Sequence, residues 1–530
     1  MSLLIVTFTS SFCSMCFSMI MALVMTEFTG EEVYTQCLTV GPYLLGLGIG
    51  SAFADNIKNS ERMKRLWHLE WASVVAIPIF PVLQLLAVFL FIHLSPLGVN
   101  LDSRLALQVL LSCTSVLAFF SGILGGAQLP LIISEDKKHS EELLLAINYI
   151  GPLFAGIFVV SLSGRAVPVA MQLFIVGMIQ LAGIFALVKT LPGKKVTTLG
   201  MIFIPLGVLI LATHFYPTME RYTVKASYLR TKSTLSELLN PAGLLKVIDG
   251  YGTLERVRTT YQTIDLLIEP PDTSYGIPGN ATLYLNRKPQ FDLLSADVYH
   301  QTMVYGAFNL LKRTPKSVLI LGAGDGLLLN ELSPHKIPEV LMVELDGGMI
   351  EWSRTNPSIA TLNRGSLDSL PPGSTLLIDD AISFLRRNRG QKRFDLILVD
   401  LPFPNGPDLA KLYSQEFYRL VRSALSMEGL VVIDLPLYIN QDRELSPESK
   451  MILKTMHAAG FPEHFSFGPL AAFVALSPEK RNLAFDHKNF PDGLSLASYT
   501  NFVSPFRDDE ITPEEWAKIP VNTMFWPKEF

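Results

Sequence analysis

Cysteine is absent beyond Cys113: the chain's four, Cys13, Cys16, Cys37 and Cys113, all lie in its apolar first half. The second half therefore has no disulfide framework and no thiolate metal site. Cys13 and Cys16 lack the second Cys or His pair that would complete a tetrahedral zinc site, and read as small apolar residues of membrane helices. A basic excess is also missing. The 43 Lys and Arg against 48 Asp and Glu leave a formal net charge of −5, without the electrostatic footprint of a nucleic-acid binder. Charge of either sign is scarce, 17% of 530 residues against 49% hydrophobic, and mean hydropathy is +0.34. Such a chain is too apolar to be wholly soluble, so part of it must meet lipid.

A span needs roughly 20 apolar residues. Candidates fall at about 3–25, 33–53, 67–93, 105–133, 143–162, 167–188 and 199–215, the last being the shortest. The first has no basic n-region and no small-residue cleavage site, and is expected to remain as a span. Lys58, Arg62, Lys64 and Arg65, then Lys137 and Lys138, then Lys189, Lys194 and Lys195 occupy alternate loops, which the positive-inside rule places in the cytoplasm with the N-terminus. Seven full spans would then put the remainder outside, whereas Arg221, Lys225, Arg230 and Lys232 favour the inside. The conflict goes away if 199–215 lies along or only partly enters the bilayer, or if the count is off by one elsewhere. Glu70 is the one carboxylate that could sit at membrane depth. Its closeness to Arg65 and His68 near a helix end predicts an interfacial, solvated side chain. Gly46, Gly48, Gly50, Gly122, Gly125 and Gly126 suit close helix contact.

From Tyr216 the texture becomes polar and Pro-punctuated, with short runs at 259–268 and 281–285 that predict a small β-region up to about 291. Apolar runs at 317–321, 340–343, 376–378, 396–399 and 430–433, separated by helical stretches, predict a parallel sheet covered on both faces by crossover helices. The chain thus divides into a multi-pass membrane domain (1–215), a linker with a small β-domain (216–291) and an α/β domain (292–530).

The first of those strands runs into Gly322-Ala323-Gly324-Asp325-Gly326 and then a helix. Such a turn lets a ligand approach the backbone at the carboxyl edge of a sheet. Glu344 closes the next strand, about where an acidic side chain reaches ribose hydroxyls; Asp380 and Asp400 close two more. A phosphate would be repelled by four carboxylates with no Lys or Arg in the glycine turn. The pattern points to a nucleoside carrying positive charge, and a sulfonium nucleoside fits: ribose on Glu344, an adenine amino group on Asp380 and an aliphatic ammonium on Asp325.

Tyr261-Gln262, LYLNRKPQF with Gln290, Asp297-Val298-Tyr299-His300, VLILGAGDG, MVELD, IDDAISFL, FDLILVD, the NGP at 405–407 and LYSQEFY, in this order, resemble the spermidine synthases, the polyamine aminopropyltransferases. The resemblance is closest to the membrane-fused bacterial members, whose helical region TVGPYLLGLGIGS and AINYIGPLFAG also look like. It implies a Rossmann-like, class I methyltransferase-like sheet preceded by a small β-domain, with decarboxylated S-adenosylmethionine as co-substrate and no metal or other cofactor. By position, it implies that Gln262, Gly322, Gly324, Glu344, Asp380, Ala381 and Pro407 hold the nucleoside. Gln290, Tyr299, His300 and Asp325 would face the amine, and Asp400 would accept its proton. Soluble members of the family imply dimers or tetramers, so a homo-oligomer is expected unless the spans replace that contact.

Three departures lie on the amine side. Phe403 stands where the family has a second Asp three residues after the base, Gln301 where it usually has Glu, and Asp434 where Gln or a similar residue is common. They predict an altered acceptor amine or reduced catalysis. Two rivals follow: a methyltransferase using ordinary S-adenosylmethionine, and a non-catalytic membrane sensor or transport component that binds a nucleoside or polyamine. Since both substrates of the transferase are made in the cytoplasm, the expected location is the cell (inner) membrane with the soluble half inside, which disfavours 199–215 as a full span.

Overall fold

Two compact units, Met1–Gln290 and Phe291–Phe530, make up the computed structural model. It describes residues 2–29, 32–54, 57–94, 104–188, 195–229, 240–250, 252–271, 278–391, 393–402, 407–435, 446–468, 473–486 and 513–525.

In the first unit the apolar segments are helical, the form that satisfies every backbone group within the segment. Among the described residues seven helices are long and apolar enough to cross a membrane: α1 (Ser2–Thr29), α2 (Glu32–Ala54), α3 (Arg62–Leu94), α4 (Arg104–Glu135), α5 (Glu141–Ser163), α6 (Val169–Val188) and α7 (Lys195–Leu229). α1 lies at the centre, with Val6, Cys13, Cys16, Ile20 and Met21 fully buried. α2 and α4 approach closely at Gly46 and Gly122, where an added Cβ would strike the carbonyls of Phe119 and Tyr43.

Two expectations change here. The segment expected to end near 215 continues unbroken to Leu229, making α7 a 35-residue helix that passes the same length and hydropathy criteria as the others. Its polar extension stays ordered because Tyr216 and Val224 are buried in one cluster with Leu254 and Leu267, a contact that local hydropathy does not register. Glu70 is not solvated. It lies about two turns inside α3, fully buried, with Ser10 of α1 2.6 Å from its carboxyl group and Gln180 of α6 donating to the other oxygen.

After α8 (Pro241–Gly250), β1 (Thr253–Arg258), β2 (Thr263–Glu269), β3 (Asn280–Leu285) and β4 (Lys288–Asp292) form a four-stranded sheet in sequence order, antiparallel from β1 to β3. Half-buried ion pairs fasten it to the helices. Glu27 of α1 and Glu220 of α7 pair with Arg256 and Arg258, and Arg256 Nε lies 3.2 Å from Asp265 of β2.

The second unit is built on β5 (Ser317–Gly322), β6 (Glu339–Glu344), β7 (Ser374–Ile378), β8 (Phe394–Asp400), β9 (Leu425–Asp434), β10 (Glu463–Phe467) and β11 (Phe473–Ser477), in the order β10-β11-β9-β8-β5-β6-β7. β5 to β9 run parallel, as the apolar runs predict. β10 and β11 depart from the parallel expectation and pair antiparallel, with β11 antiparallel to β9, because a connection of a few residues closes a hairpin but cannot make a crossover. Its described helices are α9 (Ala296–Leu311), α10 (Leu327–Leu332), α11 (Gly347–Thr355), α12 (Pro357–Leu362), α13 (Ala381–Arg387), α14 (Pro407–Ala410), α15 (Gln415–Ala424), α16 (Pro447–Ala458) and α17 (Pro513–Lys518). β5, β8 and β9 are buried on both faces; the edge strand β7 is not, its Ile378 being 51% exposed.

Candidate active site

Parallel register brings the strand ends together. Gly322 pairs with Asp400 and Glu344 with Ile378, and β9 ends at Asp434, so four acidic or glycine strand ends lie along one carboxyl edge. The chain leaves β5 through positive φ at Gly322 (90°), Ala323 (64°) and Gly326 (79°). At Gly322 a side chain would also strike the Asp400 carbonyl, and at Gly324 a Cβ would stand 3.3 Å from the Glu344 carboxyl group. The tight turn sets Asp325, 7% exposed, at the start of α10, where its Oδ1 accepts from the Leu327 amide at 2.9 Å.

α9 carries the partners. His300 Nδ1 lies 2.7 Å from the Ala296 carbonyl oxygen, which turns Nε2 toward Asp325 Oδ2 at 3.7 Å, an ion-pair distance too long for a hydrogen bond. One ligand atom from each of His300, Asp325 and Asp400 lies within 4.8 Å of the others, a spacing open to a protonated amine or a metal ion. The Tyr299 phenol donates to Asp400 Oδ1 at 3.1 Å, and Phe473 packs on the Tyr299 ring.

Burial shapes the charge. Removal from water and the Asp325 carboxylate push Asp400 up to about 6, against the pull of His300 and Tyr299. Burial and Asp400 push Asp434 up to about 7, with a Tyr299 hydrogen bond opposing. Glu344 also rises to about 7 through burial, although the Asp346 amide donates to it at 2.8 Å. Burial would lower His300, but Asp325 and Asp400 hold it above its ordinary value. Among the described residues no Lys or Arg pairs with Asp325, Glu344, Asp400 or Asp434, so the cleft favours cations.

The residues singled out in the sequence are distributed unevenly. Tyr299, His300, Asp325 and Asp400 meet, with Glu344 beside the glycine turn. Asp380 caps α13, accepting from the Ser383 amide at 2.7 Å, and Ala381 opens that helix. Pro407 opens α14. Gln262, in the β1–β2 turn, and Gln290, on β4, belong to the first unit. Phe403 and the rest of the 403–406 segment lie outside the described residues. The half-buried Gln301 side chain has an oxygen without a donor among the described residues. Asp434 is drawn into the site through Tyr299, and Glu331 of α10, 8% exposed, contributes charge felt by His300. Sequence reading noted Asp434 only as a departure and passed over Glu331. A strand-end position was the available signal for the first; the second had none.

A family profile described as the spermine/spermidine synthase domain matches residues 296–456. Polyamine aminopropyltransferase 2 of Aquifex aeolicus is 26% identical over 86% of this chain and 81% of its own length. A Leptospira interrogans polyamine aminopropyltransferase is 24% identical over 97% of this chain and 93% of its own. A Mycobacterium tuberculosis polyamine aminopropyltransferase is 40% identical over 28% of each chain. A crystal structure of spermidine synthase in complex with a transition-state analogue superposes on 47% of this chain and 86% of its own, at 21% identity and a TM-score of 0.36. With matching relatives that extend through the helical half as well as the α/β half, the chain belongs to the spermidine synthase family of polyamine aminopropyltransferases.

Proposed function

We propose that the chain transfers the aminopropyl group of decarboxylated S-adenosylmethionine to an amine such as putrescine, giving spermidine and methylthioadenosine. The observation that carries this reading is the Tyr299–Asp400 hydrogen bond beside His300 and Asp325, at the end of the strand that flanks the glycine turn. In this reading Gly322 and Gly324 admit the nucleoside to the backbone, Glu344 takes the ribose, and Asp380, Ala381, Pro407 and Gln262 complete its site. Gln290, Tyr299, His300 and Asp325 receive the aminopropyl and amine chains.

The reaction asks little of the protein at the leaving group. The amine nitrogen attacks the carbon next to the sulfonium, the C–S bond breaks with its electron pair going to sulfur, and a neutral thioether departs. The demanding step is at the nucleophile, because an ammonium has no free lone pair. Asp400, ionised above about 6, accepts that proton while Tyr299 holds the carboxylate in place. Asp434 supplies a second carboxylate on the amine side, where Phe403 cannot, so the acceptor is gripped from β9 rather than from the loop after β8.

The seven long apolar helices suggest a membrane. The soluble half belongs on the cytoplasmic side, where both cationic substrates are made. The test is methylthioadenosine release by the detergent-solubilised protein with decarboxylated S-adenosylmethionine and a panel of amines. Amine-dependent release that is lost in Asp400→Asn supports the proposal. Nucleoside binding without release for any amine overturns it in favour of a sensor.

A further inference from the structure

His300 is 1% exposed, and its Nε2 meets no hydrogen-bond partner among the described residues. A buried polar atom left in that state costs free energy until something meets it. The ring is held fast: Nδ1 lies 2.7 Å from the Ala296 carbonyl oxygen, and Phe291 and Tyr299 pack edge-on with ring centroids 5.5 and 4.8 Å away. A carbonyl oxygen only accepts, so Nδ1 carries the hydrogen and the neutral ring presents a bare lone pair at Nε2. Even a proton there finds Asp325 Oδ2 at 3.7 Å, too far for a hydrogen bond.

Two carboxylates face that lone pair. One ligand atom from each of His300, Asp325 and Asp400 lies within 4.8 Å of the others. Donors around a tetrahedral ion with bonds of about 2.0–2.1 Å stand roughly 3.3 Å apart, so side-chain movements of about an ångström close the set. Each ligand also has an outer partner that orients it: the Ala296 carbonyl for His300, the Leu327 amide for Asp325 and the Tyr299 phenol for Asp400. Asp400 is the least buried of the three and leaves a way in from solvent.

We propose that His300 Nε2, Asp325 Oδ2 and a carboxylate oxygen of Asp400 form a three-ligand site for a divalent transition-metal ion of the zinc class, and that this ion and the acceptor amine exclude each other. The exclusion rests on the amine site proposed above; the metal site does not. Two carboxylates and a neutral imidazole balance a charge of +2, and among the described residues no Lys or Arg pairs with either carboxylate. The imidazole favours zinc, cobalt or nickel over magnesium and calcium, which prefer oxygen alone. Water takes the remaining position. The ion is an inhibitor, because an Asp400 carboxylate bound to metal cannot accept the proton of the amine.

The test is titration of the chelator-stripped, detergent-solubilised full chain with cobalt(II) chloride, read by visible absorption, followed by displacement with zinc chloride. About one ion per chain is expected, with the spectrum of a four-coordinate nitrogen and oxygen site. His300→Gln should weaken binding about 100-fold, at least as much as loss of an outer partner does. Asp400→Asn decides the matter if His300→Gln does not fold. In the assay of methylthioadenosine release, zinc should raise KM for the amine and leave kcat unchanged. No cobalt binding, binding unchanged in the variants, or the near-ultraviolet band of a thiolate ligand from Cys13, Cys16, Cys37 or Cys113 overturns the site and leaves the transferase reading standing. Binding as expected in a protein that releases no methylthioadenosine without metal supports the site and sinks the transferase reading instead.

Discussion

The phenol of Tyr299 donates to Asp400 across 3.1 Å, joining a helix near the start of the second unit to the end of β8. Asp400→Asn keeps this contact but loses the base, and should lower kcat by about 10²–10⁴ with nucleoside affinity retained, as seen by single-turnover assay and calorimetry. Tyr299→Phe should cost less, about tenfold. Without the phenol's hydrogen bond the carboxylate is harder to ionise, so the acid limb of the rate profile should move to higher pH.

Asp400 near 6 and Asp434 near 7 set the pH dependence. The base works only when ionised, so kcat/KM should fall as pH drops through about 6. Asp434, the second of the two to ionise, is mostly neutral where Asp400 loses its proton, so Asp434→Asn should leave the acid limb near 6 while KM for the amine rises. An unchanged amine KM would remove Asp434 from the acceptor site.

Glu344 titrates near 7 when folded and near 4.3 when unfolded. A carboxyl group raised in this way contributes stability that is fully present below the unfolded value and is lost as pH rises through about 7. The thermal midpoint of the ligand-free protein should therefore increase between pH 8 and pH 6. Glu344→Gln should flatten that slope and raise KM for the nucleoside, separating a binding role from a purely structural one.

Arg256 holds Glu27 and Asp265 at once in a largely buried cluster. Arg256→Ala leaves Asp265 without its cation and Glu27 with Arg258 alone, and should cost about 3–5 kcal/mol. Limited proteolysis near the small sheet and the denaturation midpoint would record it.

If all seven candidate spans cross and the catalytic half is cytoplasmic, as proposed, the N-terminus lies outside together with the basic loops at 58–65, 137–138 and 189–195. A reporter fused after Phe530 should be active only as a cytoplasmic reporter. Activity of an external reporter there would mean that the loop charges govern orientation and that the substrates must be supplied from outside.

Periodicity and strand-end chemistry carried much of this protein into view without coordinates. The helical half, the parallel strands ending at Glu344 and Asp400, and the glycine turn before Asp325 are local features: unbroken hydrophobicity, short apolar runs, and residues whose backbone angles or charge matter where they stand. The reach of α7 to Leu229 was out of view because its order depends on Tyr216 and Val224 packing in one cluster with Leu254 and Leu267 from two later strands. The same holds for Glu70, whose neighbours Arg65 and His68 suggested water while Ser10 and Gln180, far along the chain, remove it. Asp434 needed β9 laid beside β8 before its carboxyl group could meet Tyr299. A pattern within a few residues can report propensity and chemical type. Burial, and with it the charge state of a carboxyl group, depends on which distant segments exclude water from it.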